Sequence, residues 1–258
     1  MGEMMDRVVD VTLWLRKRNR IALLTLLLSA GPVLADESAE AHYGRCLALT
    51  SSNAAIALGE ATSWAKAGGG PPADHCAALA LVGLGRYGEA ARKLDDLARA
   101  KATPGGLRAE IFGQAGNAWI LAGDGRRAVV SLQSALTLSA NDPDFFADLA
   151  RAQAMIKNWS EVVLDLNAAL AQRPQRADLL VLRASAQRAL RHYVDALKDL
   201  NAALGLAPSD ANALLERGLL RRDAGDLGGA RTDLLAAQKN GSAATKRDAG
   251  EALDLLRQ

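Results

Sequence analysis

Residues 177–208, ADLLVLRASAQRALRHYVDALKDLNAALGLAP, decide the fold. The stretch contains two segments of helical periodicity, broken at Arg191-His192 and closed by Pro208. In the second segment Ala196 and Leu200 lie four residues apart, on one face of a helix and one turn from each other. Small residues, Ala184 in the first segment and Ala203 in the second, stand where two helices that cross closely have no room for a larger side chain.

Shifting the chain by 34 residues brings the segments 109–142, 143–176 and 211–244 into register with 177–210 without a gap. A fixed period of this size is the mark of a solenoid built from repeated helix pairs. Small residues recur as Gly116, Ala150, Ala184 and Gly218, and again as Ala135, Ala169, Ala203 and Ala237. A third row runs Ala128, Val162, Ala196, Ala230, and four residues on stand Leu132, Leu166, Leu200 and Leu234. The breaks within units fall at Gly123-Asp124, Lys157-Asn158, Arg191-His192 and Gly225-Asp226, which predicts tight helix-to-helix turns. Between units, Asp142 before Pro143 suits a helix N-cap followed by proline in the first turn, and Ser209 and Asp210 offer a similar cap. The abundance of Ala, Leu, Arg and Asp, with few Val, Ile and Thr, favours helix throughout, so no strands are expected.

This spacing resembles the tetratricopeptide repeat (TPR) family, with Tyr193, Ala196, Ala203 and Pro208 on its loose signature. The resemblance extends back to a unit at 71–104 that carries Gly85-Arg86-Tyr87 and Ala90, giving five units (71–104, 109–142, 143–176, 177–210, 211–244). It implies an all-α fold, a right-handed α-α superhelix. The four residues inserted at 105–108 are expected to lengthen a loop. Departures from the signature are Val162 for an alanine, Gly125 for an aromatic, Ala140 and Ser242 for prolines, and Arg183 and Arg217 for apolar residues. The two arginines are expected to run their charged ends out to solvent along the helix. A degenerate helix pair at 36–70, ending in Gly68-Gly69-Gly70, and a capping helix at 245–258 with Ala249, Ala252, Leu253 and Leu256 on its apolar side are expected to close the array.

Residues 1–35 read as a signal peptide: a basic start (Arg16, Lys17, Arg18, Arg20), an apolar run from Ile21 to Leu28, then small residues up to Ala35. The apolar stretch is shorter than the roughly 20 residues a membrane span needs, so no stable membrane insertion is expected once the signal is cleaved. The signal implies a periplasmic or secreted protein. It also holds five of the 31 Lys+Arg and three of the 29 Asp+Glu, so 26 of each remain after it. A chain so balanced, without a basic stripe, has no electrostatic reason to bind nucleic acid.

In an oxidising compartment the two cysteines, Cys46 and Cys76, are expected to form a disulfide, with two buried free thiols as the alternative. His42, Cys46, His75 and Cys76 supply two nitrogen and two sulfur ligands in principle, which would suit zinc. Adjacent residues such as His75 and Cys76 diverge on a helix, however, and an oxidised pair binds no zinc, so no metal and no cofactor is expected. The chain has no His-Glu-x-x-His, phosphate loop or Gly-x-Ser-x-Gly, and no enzyme activity is expected of it. His192 falls in a repeat turn, where a solvated residue is the ordinary reading.

The resemblance implies a protein-binding scaffold, in which the first helices of successive units line a concave groove for a partner peptide or helix. By alignment that face carries Asn117 and Leu121, Arg151 and Met155, Ser185 and Arg188, and Leu219 and Arg222. The arginines suit acidic or C-terminal carboxylate groups, tempered by Asp144 and Asp178 near the groove mouth. The competing reading is a structural subunit of an envelope biogenesis or export machine that makes contact through its convex face.

Overall fold

The computed structural model describes residues 38–256, and the expected signal segment lies outside them. Among the described residues the chain is all helix, with no strand. The fold falls into two compact units divided after Asp124, inside the turn of the 109–142 repeat.

The first unit holds α1 (Ala39–Ser52), α2 (Ala54–Lys66), α3 (Gly70–Gly83), α4 (Tyr87–Arg99) and α5 (Gly105–Leu121). Ser38 and Asn53 cap α1 and α2 by accepting from backbone N–H groups in their first turns. Helices α1 and α2 lie within the 36–70 segment. One buried cluster here joins Cys46, Ala61, Cys76 and Ala77, with Tyr43 and Leu58 packed against it. The Cys46–Cys76 disulfide ties α1 to α3 with Cα atoms 6.2 Å apart.

One expectation is corrected here. Residues 105–108 do not lengthen a loop; they add a turn to α5, which has 17 residues where the first helices of the later repeats have 13. Leu107 N–H donates to the Pro104 carbonyl, and Arg108 Nε donates to the Ala98 carbonyl on α4, so the extra turn begins anchored.

The second unit holds α6 (Gly125–Leu138), α7 (Pro143–Met155), α8 (Trp159–Gln172), α9 (Ala177–Ala189), α10 (Tyr193–Leu206), α11 (Ala211–Asp223), α12 (Leu227–Asn240) and α13 (Ala243–Leu255). Asp142 caps α7 by accepting from Asp144 and Phe145 N–H, with Pro143 in the first turn, and Asp210 caps α11 in the same way. Ser242 caps α13, the closing helix, whose Ala249, Ala252 and Leu253 are buried. The four-residue row Leu132, Leu166, Leu200 and Leu234 is fully or almost fully buried, each side chain contributing about 2 kcal/mol. A continuous apolar core runs from α7 to α13.

Small side chains set the crossings. Ala128, Val162, Ala196 and Ala230 are all completely buried, as are Ala150 and Ala184. A Cβ on Gly218 would meet Leu234 Cγ at 2.8 Å, so only glycine fits where α11 crosses α12. Gly125, which departs from the aromatic signature, has its space occupied: a Cβ there would meet Met155 Cβ at 2.8 Å and Ile156 Cγ2 at 3.1 Å. The turns are left-handed at Gly123 and Gly225 (φ +77° and +87°), but Lys157 and Arg191 adopt the same conformation with side chains (φ +60° and +63°), at a cost of about 1 to 2 kcal/mol each.

Two stability outcomes are expected. Ala184→Leu overpacks the α9 crossing with the Ala196–Leu200–Leu220 cluster and lowers the unfolding free energy by about 1 to 3 kcal/mol, measured by urea denaturation. Joint replacement of Cys46 and Cys76 by serine releases a closure of 30 residues and costs about 3 to 4 kcal/mol in the chain-entropy description. Calorimetry of the variant should show the loss, and an unchanged melting profile would mean that the bond holds nothing the packing does not.

Candidate functional site

In the second unit α7, α9 and α11 are the first helices of their repeats, and α8, α10 and α12 the second. What links successive repeats is a guanidinium clamp. Arg183 on α9 forks onto Asp199 of α10 (2.7 and 2.8 Å) and donates a third bond to Asn167 of α8 (2.7 Å). Arg217 on α11 repeats this 34 residues on, forking onto Asp233 of α12 (both 2.8 Å) and donating to Asn201 of α10 (2.9 Å). Each arginine thus holds the second helix of its own repeat and that of the preceding one. The carboxylates are buried and the arginines mostly so, at 19 to 20% side-chain exposure. The expectation that Arg183 and Arg217 run out to solvent is therefore wrong: a buried carboxylate in fixed fork geometry outweighs the solvation of a planar, weakly hydrated cation.

The residues expected on the groove face differ in burial and in partners. Asn117 and Ser185 are buried, and Asn117 donates to the Gly113 carbonyl within its own helix. Leu121 and Leu219 are half-buried, Leu219 against the core. Met155 is half-buried at the end of α7, over Gly125 at the start of α6. Each of the three arginines already has an acid. Arg151 meets Asp148 at 2.7 Å and Asp178 at 3.5 Å, and Arg222 meets Asp223 at 2.9 Å. Arg188 meets Glu216 at 3.3 Å and Asp223 at 3.1 Å. Asp144, with Arg173 at 2.6 Å, and Asp178, with Arg176 at 2.6 Å, complete a surface of alternating sign.

Electrostatics follow this pairing. Burial would lower the Arg188 pKa, but Glu216 and Asp223 outweigh it and raise the value. Burial likewise pushes Asp178 up, while the hydrogen bond and charge of Arg176, with Arg151 beyond, bring it below the ordinary carboxylate value. The face is a set of salted pairs rather than a bare positive wall.

In the first unit the side chains once considered as metal ligands are otherwise engaged. Cys46 and Cys76 are bonded to each other, and His42 stacks on Trp64 with ring centroids 4.3 Å apart. His75 is buried with both ring nitrogens taken, Nδ1 by the Tyr43 hydroxyl and Nε2 by Gln114 Oε1, each at 2.5 Å. Burial lowers the His75 pKa against the opposing Gln114 bond, and burial pushes Tyr43 up to about 12. This neutral relay joins α1, α3 and α5. Among the described residues no three His, Cys, Asp or Glu side chains are grouped as a metal site.

The clamp was hidden in plain register. Asp199 and Asp233, Asn167 and Asn201, and Arg183 and Arg217 all recur at 34 residues, with 16 between partners. Sequence reasoning saw the arginines as departures because it compared them with an apolar signature and not with each other. Arg183→Met should leave Asp199 buried without its cation and cost about 2 to 3 kcal/mol, the low end for a broken buried pair because Arg183 keeps some solvent. Adding Asp199→Asn should recover part of that loss, a coupling that a double-mutant cycle measures directly.

No family model matches the chain and no curated protein matches it by sequence. Solved structures do resemble it. MamA (residues 41 to the end) from Desulfovibrio magneticus RS-1 is 21% identical over 63% of this chain and 89% of that one, with a TM-score of 0.57. YrrB, described as a TPR protein with an unusual peptide-binding site, is 21% identical over 69% of this chain and 90% of that one, at 0.58. The Cut9–Hcn1 heterotetramer of the APC/C is 18% identical over 98% of this chain and 46% of the matched chain, at 0.63. At such identities the likeness establishes the fold, an array of TPR-type helix pairs.

Proposed function

We propose that this chain is a non-catalytic scaffold for protein–protein interaction in the bacterial cell envelope, holding a partner peptide or helix against the first-helix face of its repeats. The observation that carries this reading is the exposed acid beside the face arginines. Asp178 has a side-chain exposure of 53%, whereas Asp223, at 25%, is more enclosed. An ion pair with an acid exposed to the degree of Asp178 contributes about 0 to 1 kcal/mol. A partner's carboxylate can therefore replace Asp178 on Arg151 or Arg176 at little cost, and its basic groups can take the acid set free. The surface is thus suited to a partner of mixed charge, not to a polyanion. Met155 and Leu219, both half-buried, add apolar contact. YrrB, with its peptide-binding site, offers a precedent for the same fold in this role.

The envelope placement is supported by the order of charge, apolar run and small residues in 16–35 and by the disulfide, a bond favoured in oxidising compartments. Among the described residues no helix is long and apolar enough to cross a membrane. A second reading, attachment to an envelope machine through the second-helix side, is favoured by Val194 and Leu164, exposed at 84% and 61%, with Leu197 beside Val194 on α10.

One experiment separates them. A photo-crosslinker at Leu219 in cells should capture a discrete envelope protein, and Arg222→Glu with Met155→Ala should reduce its recovery at least tenfold while circular dichroism stays unchanged. Recovery that survives this change but disappears with Leu164→Asp and Val194→Asp would replace the first reading by the second. Fractionation that leaves the chain in the cytoplasm with reduced cysteines would remove both.

A further inference from the structure

The clamp positions of the second unit form a graded series. Asp233 is held by two arginines, Arg217 and Arg221, both at 2.8 Å. Asp199 is held by one, Arg183. Asp165, the same position in the 143–176 repeat, has neither: the residues 34 positions before Arg183 and before Gln187, which matches Arg221, are Leu149 and Gln153. Asp165 is nonetheless as deeply placed as the other two, at 7% exposure against 5% and 3%, and its Oδ2 is buried without a hydrogen-bond partner.

The surrounding charges offer no substitute. On α8 itself the neighbour is Glu161, one turn away and of the same sign. On α7, which packs against α8, Arg151 is paired with Asp148 and Asp178, and Asp144 with Arg173 and Arg176. On α9, the other packed helix, Arg183 reaches α8 at Asn167 but has its fork on Asp199, Arg188 is held by Glu216 and Asp223, and Asp178 is held by Arg176. A buried carboxylate with no cation is stable only when protonated.

We propose that Asp165 is a proton-operated joint in the 143–176 repeat: neutral, it lets α7 and α8 pack closely, and ionised, it loosens that helix pair without disturbing the clamped repeats that follow. Burial, reinforced by the Glu161 charge, raises its pKa from 3.8 to about 7. The folded state therefore holds the proton more tightly than the unfolded chain does. The stabilising contribution is complete below pH 3.8, shrinks as the unfolded chain ionises above that value, and is gone once the pH passes about 7. The proton balance thus changes across the range in which an exported protein meets its surroundings, and α7 carries Arg151 and Met155 of the proposed binding face.

The test uses the full chain and two variants, Asp165→Asn and Leu149→Arg, which supplies the missing clamp cation. Melting temperatures are measured from pH 5 to 8.5, with amide hydrogen exchange of 143–172 and 177–240 expressed as protection factors. Wild type and Asp165→Asn should diverge steadily up to pH 7.5, Asn ending higher by on the order of 5 °C. Wild-type protection in 143–172 should fall at least tenfold more than in 177–240 over the same range. Leu149→Arg should abolish this extra loss, because the guanidinium stabilises the ionised form. Parallel melting curves for wild type and Asp165→Asn, or equal loss of protection in the two segments, would overturn the joint. If Asp165→Asn does not fold, Leu149→Arg decides alone: wild-type pH dependence in that variant refutes the proposal.

Discussion

The structure depends on helices approaching closely enough that nothing larger than alanine or valine fits between them. Ala128, Val162, Ala196 and Ala230 have no exposed surface, and Gly218 has no room for a Cβ beside Leu234. Close approach takes Leu132, Leu166, Leu200 and Leu234 of the second helices out of water and lets short side chains on neighbouring helices reach one another. The guanidinium clamp is a consequence. An arginine on a first helix can touch both its own second helix and the preceding one only because the backbones already stand near each other.

The two units solve the same problem by different means. In the first unit a buried cluster of two cysteines and two alanines, with two partly buried side chains against it, joins α1, α2 and α3. A covalent bond ties α1 to α3 and the Tyr43–His75–Gln114 relay joins α1, α3 and α5, burial raising the Tyr43 pKa and lowering that of His75. The second unit has a core continuous from α7 to α13 and uses ionic clamps to fix the register of one repeat on the next. Buried ion pairs are poor sources of net stability, since desolvation consumes most of the attraction. Their effect here is positional: an Asp–Arg fork tolerates little displacement, so the repeats are held at one spacing.

The fold was largely legible in the sequence because it rests on period, small residues and turn chemistry, all of which are local. The helix pairs, the Asp142 and Asp210 caps, the turns at residues 123, 157, 191 and 225 and the closing helix lie where the 34-residue register puts them. The 105–108 insertion was misread because Gly105 and Gly106 suggest a loop, while the tertiary anchor of Arg108 on the Ala98 carbonyl draws them into a helix. The site was less legible. A sequence reveals which residues share a face, but not that Asp148, Glu216 and Asp223 would neutralise the arginines of that face. Asp148 stands three residues from Arg151, a spacing the sequence does offer, but Glu216 and Asp223 reach Arg188 from α11, at separations that carry no signal until the crossing geometry is known.

That neutralisation changes what recognition on such a face can mean. A bare arginine row would attract any anion at long range, with an affinity dominated by salt and indifferent to detail. A row whose charges are already matched offers no such attraction. A partner gains only if it reproduces the pairing better than the resident acids do, through the right spacing of its own charges and through apolar contact of the kind Met155 and Leu219 provide. The discrimination then lies in short-range geometry, which the clamps hold fixed in the 177–210 and 211–244 repeats. Rigid repeats and neutralised charges are in this sense two parts of one design, because exchanging one ion pair for another is selective only on a frame that does not shift to accommodate the wrong partner.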